Sequence, residues 1–168
     1  RFLEKTGVNN DGIFVRAGNA SLEEANVVVI GQAHKPTSGV NVPTEVRVKG
    51  EQGARNTEEI LRATLKEGDI VLYEGIPYME RELTNERLEA FAPGISAHFE
   101  GIQSGVRLNG WENMRMYFAN LAAGHDPSIP NAYIRYGIYQ RTIYMSYSIE
   151  RALKTLQPGN KVVVVCGG

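Results

Sequence analysis

Three short apolar runs rich in β-branched residues restrict the fold of this 168-residue chain more than any other feature. They occupy residues 27–30, 70–73 and 162–165. Unbroken apolar runs of this length are typical of strands that are buried on both faces of a sheet. Parallel strands need crossover connections, and helical patterns separate these runs. The sequence therefore predicts an α/β fold, with a largely parallel central sheet and helices on both faces.

Helical spacing is clearest in the second half of the chain. One amphipathic helix, ending at Gly124, is predicted by large apolar residues spaced three, four and three apart: Trp111, Met114, Phe118 and Leu121. A longer helix is predicted over residues 131–156. We also expect a short strand at 106–109 and two short helices within 79–104.

The segment between the first two runs has weaker signals. Residues 35–53 show no hydrophobic period and are predicted to form a loop, which a hairpin across 45–48 would shorten. Asn56 and Glu59 stand at capping-box spacing. They predict that a helix begins there and ends at Gly68.

The ends of the chain suggest a piece of a longer protein. Residues 1–20 are rich in Gly and Asn and are predicted to be a linker or an edge segment, followed by a single α/β domain over 21–168. The chain begins without Met and stops where a strand enters a turn. We therefore expect a domain truncated at its C-terminus, with other domains of a longer parent chain as partners.

Composition excludes several functional classes. The 18 Lys and Arg residues nearly balance the 19 Asp and Glu residues, so no basic field favours nucleic acid as a partner. The apolar runs are far shorter than the ~20 residues of a membrane span. The single cysteine, Cys166, lies in a valine run and is expected to be a small buried residue, not a nucleophile.

Two candidate functional residues follow predicted strands, at the edge where open α/β sheets bind ligands. His34 comes four residues after the first run, where a general base or a metal ligand would stand. Glu74 directly follows the second run and should share a face of the sheet with Ile70 and Leu72. The alternatives are a capping or surface histidine and a solvated strand-end glutamate.

Arg141 is an anomaly within the predicted long helix. At about 100° per residue, it falls between Ile138 and Met145 on the apolar side. A guanidinium directed at a core requires an anionic partner, and Glu74 is the natural candidate. A purely structural ion pair would satisfy the same geometry.

The order of these features resembles one superfamily, which comprises erythromycin esterases, ChaN-like haem-binding lipoproteins, TraB pheromone-shutdown proteins and Tiki metalloproteases. The resemblance covers roughly residues 26–168 and rests on five motifs: a strand end Val-Val-Val-Ile-Gly-Gln-Ala-His34, a strand end Leu-Tyr-Glu74, a predicted turn Gly110-Trp111-Glu112-Asn113, a helix Arg141-Thr-Ile-Tyr-Met145 and the terminal Val-Val-Val-Val-Cys-Gly-Gly. Domains of this type also occur inside large bacterial toxins, which implies a secreted or effector protein.

The resemblance implies a catalytic role for His34, Glu74 and Arg141. It also implies that a divalent metal ion (zinc, manganese or cobalt) is held by His34 and Glu74, with a second histidine expected after Gly168. Gln32 stands where many relatives have Glu. The resemblance places three residues in contact with substrate: Gln32, Trp111 and Glu112.

The function expected on these grounds is hydrolysis of an ester or peptide bond in a small-molecule or peptide substrate. His34 would act as base for a water molecule, Glu74 would orient the water or bind the metal, and Arg141 would hold an oxyanion. One alternative is non-catalytic binding of haem or another small molecule, in which a tyrosine-rich helix would take part. Its tyrosines spread around the helix, which favours packing and surface roles. The other alternative is a degenerate, structural domain of a larger protein or toxin.

Overall fold

The structure is a computed structural model that describes residues 24–32, 42–80 and 105–167, the backbone of 13–16, and positions 84, 86, 87, 90 and 102. Five strands and three helices lie in this part of the chain. The strands are β1 (Ile13–Arg16), β2 (Val27–Gln32), β3 (Ile70–Pro77), β4 (Arg107–Glu112) and β5 (Val162–Gly167). The helices are α1 (Thr44–Thr64), α2 (Met114–His125) and α3 (Asn131–Leu153).

The strands form one sheet in the order β1-β2-β5-β3-β4. The last four are parallel, and β1 pairs antiparallel with β2 at the edge. The predicted α/β fold is therefore confirmed. The first and last apolar runs are neighbours, because β5 lies between β2 and β3.

Apolar side chains cover both faces of the sheet. On one face, Ile60 and Leu61 of α1 and the C-cap residue Leu65 form a cluster with alternate residues of the strands, such as Val28 and Val163. On the other face, α3 contributes Ala152, with Met145 and Ile149 packed beside it, over Leu72 and Val164. Each helix thus packs on the residues that alternation of the strands directs towards it. Within the described part of the chain, no helix is long and apolar enough to cross a bilayer.

Helix α1 corrects three predictions. It begins at Thr44, so the loop predicted over 35–53 is wrong from that residue onwards, as is the hairpin across 45–48, whereas residues 35–41 lie outside the described residues. Asn56 does not start the helix: it is buried in the middle of α1, where its Oδ1 accepts a hydrogen bond from Gln52 Nε2 at 2.7 Å. The buried side of the first turns consists of Gly50 and Gly53, which leave no hydrophobic period to detect.

The region that joins β4 to α2 corrects a further prediction. Strand β4 runs on to Glu112, so Trp111 belongs to the sheet and the predicted Gly110–Asn113 turn is wrong. Asn113 then caps α2, its Oδ1 accepting from the amides of Arg115 and Met116. Helix α2 has no buried residue, and Phe118 is 58% exposed. The spacing predicted the helix, but the apolar residues do not face a core.

The last long helix is close to its prediction, since α3 begins at residue 131 and ends at Leu153. Residues 1–12 and 17–20 of the predicted linker or edge segment, and most of the predicted pair of helices at 79–104, lie outside the described residues.

Two glycines shape the carboxyl ends of β3 and β4. Gly75 has a φ of +77°, a left-handed conformation that favours glycine, and the register of the two strands shifts just there. Gly110 lies so close to β3 that an added Cβ would stand 1.9 Å from the backbone oxygen of Ile76. The two strands can therefore approach this closely only because residue 110 is a glycine and has no Cβ.

Candidate functional site

Arg141 lies between two carboxylates at the carboxyl edge of the sheet. Its Nη2 donates to Glu74 Oε1 at 2.5 Å and also to Glu112 Oε1, and its Nε donates to Glu112 Oε2 at 3.3 Å. The predicted ion pair between Arg141 and Glu74 is thus confirmed. Sequence reasoning did not identify Glu112 as the second partner.

Neighbouring strands bring the two carboxylates together. Glu74 follows Leu72 by two residues and therefore points to the face that α3 covers, as strand alternation predicted. Glu112 is the last residue of β4, the parallel neighbour of β3. Parallel strands end at the same edge of a sheet, so both carboxylates meet the one guanidinium that α3 directs inwards.

The central strand β5 supplies a further donor. The backbone amide of Gly167 donates to Glu74 Oε2, so both oxygens of this carboxylate are held, one by α3 and one by β5. The Glu74 and Arg141 side chains are each 14% exposed, whereas the Glu112 side chain is 0% exposed. Glu74 and Arg141 are thus accessible to a ligand in solution, whereas Glu112 holds Arg141 from the protein interior.

Aromatic rings and an amide complete the surroundings of Arg141. Its Cζ lies 5.5 Å from the centroid of the Trp111 ring and 5.0 Å from that of Tyr117, distances at which cations attract ring faces. Its Nη1 donates to Asn120 Oδ1 at 3.4 Å. Each nitrogen of the guanidinium therefore has an acceptor within the protein, and its position is fixed.

Trp111 is itself held by the sheet and by α3. Its Nε1 donates to the carbonyl of Val165 at 3.0 Å, and its own carbonyl accepts from Ser148 Oγ at 3.2 Å. Trp111 as a whole is 4% exposed. Trp111 and Glu112, which the resemblance placed in contact with substrate, are both buried, so their contacts are with Arg141 and the core.

Burial changes the protonation equilibria of this cluster. Desolvation raises the pKa of Glu112, more than the hydrogen bonds and charge of Arg141 lower it, and the charge of Glu74 adds to the rise. Desolvation would lower the pKa of Arg141, but its hydrogen bonds to Glu112 and Glu74 outweigh this and leave that pKa raised. Glu112 therefore takes up a proton more readily than an ordinary glutamate side chain.

A second polar pair lies on the opposite face of the same edge. Gln32 Nε2 is 3.4 Å from Tyr73 Oη, and burial raises the pKa of Tyr73. Gln32 Oε1 is a buried side-chain oxygen without a hydrogen-bond partner in the described part of the chain. Gln32 is the register partner of Gly167, whose amide donates to Glu74. The Gln32–Tyr73 pair and the Glu74–Arg141 pair therefore lie on opposite faces of the sheet at the same edge.

The other predicted site residue, His34, lies outside the described residues, as does Gly168. In the sequence, His34 follows Gln32 by two residues. Where the structure describes the chain, no three His, Cys, Asp or Glu side chains are grouped as a metal site.

Three residues around Arg141 were not predicted as its partners from the sequence, for different reasons: Glu112, Tyr117 and Asn120. Glu112 belongs to the Gly110–Asn113 motif, but Gly110 suggested a turn at a position where the structure has strand β4. Tyr117 and Asn120 lie three residues apart on α2, on the side that faces Arg141. That side of α2 is polar, so hydrophobic periodicity could not identify it.

No protein-family model matches the chain, and neither a curated protein nor a solved structure matches it.

Proposed function

We propose that the carboxyl edge of β2, β5 and β3 is the active site of a hydrolase that cleaves an ester or peptide bond. One observation carries the proposal: Glu74 is held at both oxygens, by Arg141 and by the Gly167 amide, yet remains partly open to solvent. A carboxylate fixed in this way at a ligand-binding edge is suited to orient a histidine or a water molecule.

In the proposed reaction, His34 takes a proton from water while the water oxygen attacks the carbonyl carbon of the substrate. The bond to the leaving oxygen or nitrogen then breaks, and the leaving group takes the proton from His34. Glu74 orients the water or the histidine. Arg141 is a positioning residue in this scheme, because all its nitrogens already have acceptors within the protein.

A divalent ion held by His34 and Glu74, as the resemblance implies, fits the described geometry poorly. Both Glu74 oxygens already accept hydrogen bonds, and the Arg141 cation lies 2.5 Å from one of them. A guanidinium already bound to this carboxylate opposes, by like-charge repulsion, a second cation on it. We therefore propose hydrolysis in which the protein groups, not a resident metal, activate the water.

A second candidate is a structural role for the cluster in a domain without turnover. The guanidinium favours it, since four of its five N–H donors already have acceptors within the protein. The two candidates predict different consequences when Glu74 is neutralised.

The test measures hydrolysis of a panel of nitrophenyl esters and peptide nitroanilides. Active wild-type protein should lose at least ~100-fold in kcat/KM in His34→Ala and Glu74→Gln, because general acid–base groups contribute 10²- to 10⁴-fold. Glu80→Gln, at an exposed position, is the matched control and should retain activity. Chelator should leave the rate unchanged, and elemental analysis should find substoichiometric metal.

Two results would overturn the proposal. Wild-type protein without activity on the whole panel would favour the structural candidate. Full activity in both variants would move the active site elsewhere. Tight stoichiometric metal would instead overturn the metal-independent form of the reaction.

A further inference from the structure

Helix α3 has a second apolar face, opposite the face that packs on the sheet. The sheet-facing residues include Met145, Ser148, Ile149 and Ala152. At about 100° per residue, four residues fall on the opposite side, here called the outer stripe: Tyr136, Tyr139, Ile143 and Tyr147. Three of the tyrosines that were expected to spread around the helix thus share one face, and they are 62%, 61% and 59% exposed. Spacings of three, four and four residues give one continuous stripe along about three turns of helix.

The outer stripe lacks the charges that an exposed helix face usually carries. Residues 136–149 contain a single charged side chain, Arg141, and that side chain points to Glu74 and Glu112 beneath the helix. A solvated helix face is normally rich in charged residues, and contiguous exposed apolar surface marks an interaction site. Tyrosine is also enriched at protein interfaces.

Charges of opposite sign flank the uncharged stretch. Arg135 precedes it and Glu150 follows it, both exposed. They are separated by roughly 22 Å along the axis at 1.5 Å per residue. Two such helices side by side in parallel would place like charges together. In the antiparallel arrangement, Arg135 of each copy meets Glu150 of the other, and the helix dipoles also oppose each other favourably.

We propose that the chain forms a symmetric dimer in which the outer stripe packs antiparallel on the outer stripe of a second copy. The four side chains bury about 400 Å² per partner, roughly half of a standard interface. The dimer should therefore dissociate in the micromolar range. The internal pair between Glu150 and Lys154, at 3.0 Å and exposed, contributes little and does not compete strongly.

Sedimentation velocity of the purified chain, up to about 100 μM, is the first test. Wild-type protein should show a concentration-dependent shift from monomer to dimer. Tyr147→Glu should remain monomeric over the same range. Phe118→Glu is the matched control, because Phe118 is equally exposed, at 58%, but lies on α2; its dimerisation should equal that of the wild type.

A charge swap tests the antiparallel geometry. Arg135→Glu and Glu150→Arg should each weaken dimerisation about tenfold, and the double variant should restore it, because each contact is re-formed with inverted sign. Arg115→Glu, an exposed reversal on α2, should have no effect. Circular dichroism of each variant verifies that α3 remains folded.

A wild-type protein that stays monomeric throughout would overturn the proposal, even if it bound another protein. Dimers unaffected by Tyr147→Glu would move the interface to another surface. A double variant weaker than either single variant would overturn the antiparallel pairing.

Discussion

Replacing Arg141 by Met tests how much the buried cluster contributes to stability. Methionine keeps much of the apolar stem that packs between α3 and the sheet, and removes only the charge and the donors. Glu74 then retains the Gly167 amide and limited contact with solvent. Glu112, which is 0% exposed, loses the donors on both of its oxygens.

The expected loss follows from this burial. Removing one partner of a buried ion pair costs on the order of 3 to 5 kcal/mol, because the remaining charge is left without compensation. A backbone hydrogen bond from Gly75 stays with Glu112 and moderates the loss. We expect the free energy of unfolding in Arg141→Met to fall by about 4 kcal/mol at pH 7, measured by urea denaturation and circular dichroism.

The raised pKa of Glu112 also predicts how the stability loss in Arg141→Met depends on pH. Burial raises the folded-state pKa of Glu112, so the folded protein binds this proton more tightly than the unfolded chain does. Stability from this group is then greatest below the unfolded-state pKa, about 4.3, and is lost as the pH rises through the folded-state pKa. Without Arg141 that pKa rises further. The deficit of Arg141→Met should therefore be smaller near pH 4 than at pH 7.

A double variant separates charge from packing. Arg141→Met with Glu112→Gln should recover part of the loss, because no buried carboxylate remains without a guanidinium. A loss below about 1 kcal/mol in the single variant, the range of exposed pairs, would refute the reasoning. A deficit that grows towards pH 4 would refute it as well.

Two further variants or probes test the neighbourhood of the site. Gly110→Ala should lose about 3 kcal/mol in urea denaturation, because its Cβ would stand 1.9 Å from the Ile76 carbonyl oxygen, whereas Gly124→Ala, with open space around it, should match the wild type or exceed it; equal stability of the two would contradict the close approach of β3 and β4. Cys166 should react with a disulfide reagent at pH 8 about 200-fold more slowly in the native protein than in urea, because burial and then the charge of Glu74 raise its pKa to about 11; similar rates would show that the thiol is accessible and ionised.

Several features of the fold were predictable because their signals are local. The runs around residues 28, 71 and 164 are strands, since β-branched residues without polar interruptions fit a sheet buried on both faces. The contact between Arg141 and Glu74 was also predictable. A charged residue on an apolar stripe must have a partner, and strand alternation placed one carboxylate at the correct edge.

The features that were missed depend on contacts distant in the sequence. Gly50 and Gly53 are buried against the rest of the fold, but glycine carries no hydrophobic signal, so the first half of α1 looked like a loop. Gly110 suggested a turn because glycine is common in turns. Its actual role is to let β4 approach the Ile76 carbonyl, which no local pattern records.

Glu74 and Glu112 differ in burial, because the Glu74 side chain is 14% exposed and the Glu112 side chain is 0% exposed. This difference helps to distinguish a functional role of the cluster from a purely structural one. Arg141 is anchored by the buried Glu112 and by the rings of Trp111 and Tyr117, which would be sufficient to satisfy a structural guanidinium. Glu74 adds a second negative charge at the edge and receives its own amide donor from β5. Both side chains of the Glu74–Arg141 pair are only 14% exposed, and the desolvation penalty of a largely buried ion pair can exceed its Coulombic gain, so stability alone gives little reason for this additional carboxylate. A carboxylate fixed at a ligand-binding edge by a rigid supporting layer is, however, what a preorganised active site requires.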